Sequence, residues 1–259
     1  SLRNAIMSSL KNLNTKVVKN GESFPPLAEG TARIYNMRFC PWAERVILYA
    51  AVKGIPAEVV NIHLAEKPDW YFSKHPKGQV PAFEKDGKTV IESGVIPEYL
   101  DGIYPSNPIL PTDPYLRAQQ RLTSDALGAL APALYGLVAV IKENLQGEAR
   151  AEKFKPVEAA LDTAEKLLTD KFFGGATPGY ADILSFPFFE RLFLFRLLTD
   201  ESPIDKAAAP GAARWPKLTA WWAAISAFPP IANTIQKEEH LLGFFKSFAS
   251  GAPDYDYGL

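Results

Sequence analysis

The stretch Arg33-Ile34-Tyr35-Asn36-Met37-Arg38-Phe39-Cys40-Pro41-Trp42-Ala43-Glu44-Arg45-Val46 decides how this chain begins to fold. Ile34 and Tyr35 read as the end of a short strand. Pro41 suits the first helical position, because its fixed φ fits and its missing N–H would be unpaired there anyway. From Trp42 the apolar positions recur at helical spacing, through Val46, Tyr49 and Ala50, until Gly54-Ile55-Pro56 stops the run. Cys40, the single cysteine of the chain, therefore falls where a strand turns into a helix. Backbone N–H groups and the helix dipole favour thiolate over thiol at such a place. Arg38 and Arg45 are the neighbours that could add positive charge.

A thioredoxin-type redox pair is Cys-x-x-Cys. Here the second position is Ala43, so the chain holds no resolving cysteine. A thiolate at position 40 could attack a disulfide or an electrophile, but an external thiol would have to complete the cycle. Glutathione is the natural candidate.

Upstream, the polar opening to about Thr31 looks irregular, with Asn20-Gly21 and Pro25-Pro26. Ser1 to Ile6 reads as a non-native stretch ahead of a native Met7, and the first 30 residues hold no apolar signal core. Downstream, strands are expected near 57–62, 82–84 and 89–91, with a short helical piece near 69–74. Lys85-Asp86-Gly87-Lys88 is a hairpin signal. Ser93 is a good N-cap for a helix running to about Tyr104. The order βαβ then αββα is the small thioredoxin-like arrangement. Pro105, Asn107, Pro108, Pro111 and Pro114 then mark a linker. Beyond it only helical patterns follow, near 115–145, 153–169, 180–198, 214–227, 230–239 and 241–249. The expected organisation is an N-terminal extension (1–31), an α/β thioredoxin-like glutathione-binding domain (32–106), a linker (107–114) and an all-α substrate domain (115–259).

The bulk properties exclude several classes. At 259 residues and net charge −1 there is no general electrostatic reason to bind nucleic acid or an anionic membrane. One cysteine rules out an intrachain disulfide, which fits a reducing, cytoplasmic setting. The longest apolar run, Ala126 to Ile141, is about 16 residues, short of the roughly 18–20 a membrane helix needs. It reads as a buried core helix, and no stable membrane insertion is expected. His63, His75 and His240 lack metal-ligand spacing, so no metal is expected. No phosphate loop, dinucleotide fingerprint or serine elbow occurs.

Three pieces of the first domain bear on glutathione. In Gln79-Val80-Pro81 the proline at a strand start is a candidate cis-Pro, although trans is commoner on X–Pro statistics alone. Such a turn would leave the Val80 N–H and C=O to pair with a peptide-like ligand. In Glu92-Ser93, Ser93 at a helix start suits a carboxylate and Glu92 an ammonium, the two ends of a γ-glutamyl group. Lys67 could meet the glycyl carboxylate.

Taken together these motifs resemble the omega class of cytosolic glutathione transferases. The carrying runs are Arg33-Ile34-Tyr35, Met37-Arg38-Phe39-Cys40-Pro41, Lys67-Pro68-Asp69-Trp70-Tyr71-Phe72, Gly78-Gln79-Val80-Pro81, Ile91-Glu92-Ser93 and Glu98-Tyr99-Leu100-Asp101. Later matches are Phe172-Phe173-Gly174-Gly175, Phe189-Glu190-Arg191-Leu192, Trp215-Pro216-Lys217-Leu218 and the terminal Asp256-Tyr257-Gly258-Leu259. The resemblance spans roughly residues 25–259. It implies the glutathione transferase fold, and a mixed disulfide between Cys40 and glutathione. It implies that Trp42, Lys67, Val80, Glu92 and Ser93 bind the tripeptide, with Pro81 structural. It also implies that Pro41, Arg191 and Trp221 line an acceptor pocket, and that the protein is a homodimer.

Two positions depart from the class: Trp42, where Phe is commoner, and Gly179, where Ser or Thr usually caps the core helix opposite the structural Asp182. Glycine caps only a few tenths of a kcal/mol less well, so this helix is expected with lower local stability.

The activity implied is glutathione-dependent thiol transfer and dehydroascorbate reduction, with weak conjugation of electrophiles. The acceptors would be small electrophiles, disulfides or dehydroascorbate-like molecules. Two relatives of the same fold are the alternatives: a membrane-associating intracellular chloride-channel-like protein, and an inactive crystallin-like one. The joint presence of Cys40, Lys67, Glu92 and Ser93 argues against the latter.

Overall fold

The computed structural model describes residues 9–259; Ser1–Ile6, the stretch expected to be non-native, lies outside the described residues. The chain forms two compact units. The first holds the described residues up to Pro108 together with Pro229–His240 and Asp254–Leu259, and the second holds Ile109–Phe228 and Leu241–Pro253.

Among the described residues the first unit is built on a five-stranded sheet in the spatial order β1 (Leu10–Lys11), β3 (Ala57–Asn61), β2 (Ala32–Asn36), β4 (Ala82–Lys85), β5 (Lys88–Ile91). Its centre is β2 (Ala32–Asn36), buried along its whole length, which pairs in parallel with β3 (Ala57–Asn61). β4 (Ala82–Lys85) runs antiparallel to β2, and β5 (Lys88–Ile91) closes a hairpin with β4. Asp86 and Gly87 in that hairpin have φ of 50° and 72°. Both central residues of a type I′ turn need positive φ, and Asp-Gly tolerates it.

The opening is less irregular than expected. β1 (Leu10–Lys11) adds a parallel edge strand beside Ala57 and Glu58 of β3. Two residues carry no periodicity, so only pairing with an open edge could create this strand.

Between β2 and β3, α1 (Pro41–Lys53) occupies the span its spacing predicts. Gly54, at φ 67°, ends it. The Gly54 N–H reaches the Ala51 carbonyl at 3.1 Å and the Ile55 N–H reaches the Ala50 carbonyl at 2.9 Å, a Schellman end. A 3-10 turn covers Asp69–Ser73, and α2 covers Ile96–Ile103. The start of α2 differs from expectation. Its first bonds run from the Val95 and Ile96 N–H groups to the Glu92 carbonyl, at 3.0 and 2.9 Å, so Ser93 lies inside the opening turn instead of capping it. α1 and α2 are tied by Asp101, which accepts from the Tyr49 hydroxyl at 2.7 Å and pairs with Lys53 at 2.8 Å.

The C-terminal segments Pro229–His240 and Asp254–Leu259 join this first unit, whereas the sequence pattern assigned everything after residue 114 to the helical domain. α8 (Pro229–Ala232) packs on α1. Asp256 accepts the Val17 N–H at 2.8 Å, and Arg38 donates to the Tyr257 carbonyl at 3.0 Å. These are long-range polar bonds with no local pattern.

The second unit is helical. α3 (Pro114–Ala126) and α4 (Leu130–Lys142) are joined by a 3-10 turn, Leu127–Ala129. They form one run of 29 residues, long and apolar enough by length and composition to cross a membrane, with a mean hydropathy of 1.6 in its most apolar window. The helical span agrees with the pattern near 115–145; the 126–141 apolar run occupies only its later part, and helix bonding begins ahead of it at the Asp113 cap. α4 packs on α5 (Gly147–Leu167) and α6 (Tyr180–Leu194). α6 is buried throughout, and its Phe189 meets Trp221 of α7 (Pro216–Ser226) with ring centres 4.8 Å apart. α9 (Glu238–Ala249) ends the regular structure.

Candidate functional site

Cys40 is the N-cap residue of α1, with φ −78° and ψ 117°, and the residue is half-buried. Its carbonyl accepts the Glu44 N–H at 3.0 Å and its own N–H reaches the Met37 carbonyl at 2.9 Å. The side chain makes no capping hydrogen bond. Of the two arginines expected to add charge, Arg38 is turned away. It is 4% exposed, stacks on Phe39 at 4.9 Å, and bonds the Tyr257 carbonyl and Gln236. Burial lowers its pKa, while Asp256 and Asp254 counter the shift. Arg45 lies over the Trp42 ring at 4.7 Å and donates to the Ser93 hydroxyl at 3.3 Å. One arginine thus links the helix that follows Cys40 to the turn that carries Ser93.

Ser93 is buried, and Glu92 beside it is exposed, with φ 76°. A left-handed conformation at a non-glycine residue costs roughly 1–2 kcal/mol. It accompanies the double use of the Glu92 carbonyl by Val95 and Ile96 and leaves the carboxylate outside the turn.

The Val80-Pro81 peptide is cis. The Val80 N–H and C=O bond no other described residue. Just before them the Gln79 carbonyl accepts the Tyr71 hydroxyl at 2.7 Å. Tyr71 is fully buried; burial first, then Tyr35 and Cys40, raise its phenol far above the ordinary tyrosine value, so it stays a donor. Lys67 lines a cavity of about 570 Å³ with Asn20, Leu64, Ala65, Glu66 and Phe72. A Cβ on Gly78, whose φ is +60°, would lie 2.8 Å from the Lys67 Cδ, so that glycine admits the lysine stem.

Lys67 and Glu92 are both close enough to His75 to act on its charge. The structure therefore brings Cys40, Trp42, Lys67, Val80, Glu92 and Ser93 into the same unit, tied together through Arg45, Tyr71 and His75. Tyr71 and His75 were missed as site residues. Tyr71 lies inside the Lys67–Phe72 run with no local signal for its hydrogen bond, and His75 has no sequence neighbour that marks its ring as a backbone acceptor.

Arg191 and Trp221 fall elsewhere. Each is 1% exposed in the second unit, Arg191 bonded to the Pro187 carbonyl and to Glu190, Trp221 to Asp182 at 2.7 Å. Both side chains are packed in the interior of the second unit. Asp182 is structural as expected. It accepts the Gly179 N–H at 2.8 Å, the Gly174 N–H at 2.7 Å and the Phe173 N–H at 2.9 Å. Burial pushes its carboxyl up, and these donors pull against that. Among the described residues no group of three His, Cys, Asp or Glu side chains is placed to hold a metal ion.

The family models "Glutathione S-transferase, N-terminal domain" and "Glutathione S-transferase, C-terminal domain" match residues 34–108 and 129–229. The chain is 50% identical over 257 residues to the probable glutathione transferase omega-2 of Caenorhabditis briggsae, covering 98% of this chain and 100% of the relative. It is 34% identical to glutathione S-transferase omega-1 of Mus musculus, over 90% of this chain and 93% of the relative. Among solved structures, glutathione transferase Omega 3C of Trametes versicolor aligns with TM-score 0.69 at 22% identity, over 86% of this chain and 94% of that one. Rice GST1, solved in complex with glutathione, aligns with TM-score 0.74 at 24% identity, over 86% of this chain and 100% of that one. With the sequence relatives and both domain models in agreement, the chain belongs to the omega-class glutathione transferases, glutathione-dependent enzymes with the tripeptide as co-substrate.

Proposed function

We propose that this enzyme is a glutathione-dependent thioltransferase and dehydroascorbate reductase working through a mixed disulfide at Cys40. The observation that carries this is the placement of the chain's one cysteine, partly exposed, at the N-cap of α1. Its thiolate attacks the glutathione sulfur of a mixed disulfide, the S–S bond breaks, and the other thiol leaves. A glutathione thiolate then attacks the Cys40-bound sulfur, releasing oxidised glutathione and restoring Cys40. With dehydroascorbate, two glutathione thiols supply the two electrons and end as the same disulfide.

In this reading Val80 pairs its backbone with the tripeptide in strand fashion. Glu92 takes its ammonium, Ser93 and the adjoining turn its γ-glutamyl carboxylate, and Lys67 its glycyl carboxylate. Trp42 packs at the mouth with Pro41. Conjugation is weak, because a cysteine that bonds the glutathione sulfur does not stabilise its thiolate. The protein acts in the cytoplasm on small electrophilic, disulfide or dehydroascorbate-like acceptors, as a homodimer.

The deciding experiment is intact mass after incubation with oxidised glutathione, followed by a dehydroascorbate reductase assay. One reducible glutathionyl adduct is expected on the wild type, and none on Cys40→Ser, which should also lose both activities. Full activity in Cys40→Ser would overturn the assignment. In Cys40→Ala, glutathione held with its sulfur free should give a gain in aryl-halide conjugation. The 29-residue helix Pro114–Lys142, long and apolar enough by length and composition to cross a membrane, is the feature that a second reading, a chloride-channel-like, membrane-associating protein of the same fold, would use. Flotation with liposomes distinguishes it.

A further inference from the structure

His75 is 3% exposed, in the loop between the Asp69–Ser73 turn and β4. Its N–H bonds the Tyr71 carbonyl at 3.0 Å, and its carbonyl accepts the Gly78 N–H at 2.8 Å. The ring Nδ1 accepts the Lys77 N–H at 3.2 Å. An accepting Nδ1 carries no proton, so this bond requires the neutral imidazole with its hydrogen on Nε2. The ring does what the side chain of asparagine or aspartate does in an Asx turn, bonding the backbone two residues on.

What the turn holds in place is the tripeptide site. Gly78, at its end, must come within contact of the Lys67 stem and the Phe72 ring. The next residue, Gln79, is anchored by the Tyr71 hydroxyl and leads into Val80 and the cis peptide. The charged groups facing His75 are Glu92 after β5, Lys77 in the turn itself and Lys67 ahead of the 3-10 turn.

We propose that His75 is a positioning residue for glutathione, its neutral ring locking the 75–78 turn and its protonation releasing that turn and weakening binding. This rests on the glutathione reading above. Protonation makes Nδ1 a donor facing the Lys77 N–H, which is also a donor. It also adds a positive charge within reach of Lys67 and Lys77, which Glu92 offsets only in part. Burial, first, and the two lysines hold the imidazole below its ordinary value of 6.5, against the pull of Glu92 and of its own backbone. The neutral ring is therefore in place at neutral pH. Its contribution is whole above 6.5 and is lost as pH falls through the lower, folded value.

The test is calorimetric titration of reduced glutathione into reduced wild type, His75→Asn and His75→Leu, from about pH 5 to pH 8. Asparagine offers an amide oxygen to the same N–H at every pH. Wild-type affinity should fall at acid pH relative to His75→Asn, by about tenfold for one lost hydrogen bond. His75→Leu, checked for folding by circular dichroism, should bind about tenfold more weakly than wild type at pH 8. Parallel pH curves for wild type and His75→Asn, or wild-type affinity in a folded His75→Leu, would overturn the proposal. Absence of binding by the wild type at pH 8 would instead remove the glutathione reading, and this inference with it.

Discussion

The Oε1 atom of Gln120 accepts the Ala181 N–H at 3.3 Å, the bond that a serine or threonine at position 179 would be expected to make. Its Nε2 atom donates to the Phe173 carbonyl at 2.7 Å. The cap missing at Gly179 is therefore supplied from α3, and Asp182 provides the other half by accepting the Gly179 N–H. A Cβ at position 179 would lie 2.8 Å from the Gly174 Cα and 2.9 Å from Gln120 Oε1. Gly179→Ser should thus lower thermal stability, although serine is the better cap elsewhere. Gln120→Ala should cost about 1–2 kcal/mol in chemical denaturation. A stabilised Gly179→Ser would show that the close approach is not limiting.

Asp101 is the clamp between α1 and α2. The Lys53 side chain is 1% exposed and that of Asp101 6%. Asp101→Asn should destabilise by about 1–3 kcal/mol, because the Lys53 ammonium loses its counter-charge and keeps the Asn107 carbonyl at 2.7 Å. Adding Lys53→Met should recover much of the loss. Urea unfolding of the two single variants and the double variant measures both, and additive losses would rule out the coupling.

Glu84 sets an acid limit on stability. Burial would raise its pKa, but the Lys74 ammonium at 2.5 Å and the Tyr35 hydroxyl at 2.6 Å outweigh that, helped by Arg33, so the carboxyl lies below its ordinary value of 4.5. A depressed carboxylate stabilises the fold fully above 4.5, and that contribution disappears as pH falls through the folded value. Glu84→Gln should be less stable at neutral pH and should lose stability less steeply in acid. Melting temperatures from pH 7 down to pH 3 read this out, and identical slopes would refute it.

Glu92 should discriminate between ligands with and without an amine. Glu92→Gln keeps the shape and removes the charge, so glutathione affinity should drop about tenfold. Affinity for an analogue lacking the γ-glutamyl amine should not change. Equal losses for both would take the ammonium away from Glu92.

Much of the first unit was legible in the sequence because its signals are local. Pro41 and Gly54 bracket α1, Asp86-Gly87 makes the hairpin turn, and the β-branched runs at 57–62 and 89–91 mark strands. Cys40 could be placed at a helix start from neighbouring residues alone. Tertiary structure decided whatever depends on a distant partner. β1 exists only beside β3. Arg38 left the thiol for the Tyr257 carbonyl because the C-terminal segment joins the first unit. Trp221 and Arg191 went into the core because Asp182 and Glu190 bond them there. α7, led by Trp215, which has no capping oxygen, donates its Lys217 and Leu218 N–H groups to the Glu165 carboxylate of α5. His75 became meaningful only once its ring was seen accepting a backbone N–H. Propensity and periodicity report on residues a few positions apart, whereas caps supplied from another helix, buried ion pairs and edge pairing come from chain segments that meet only on folding.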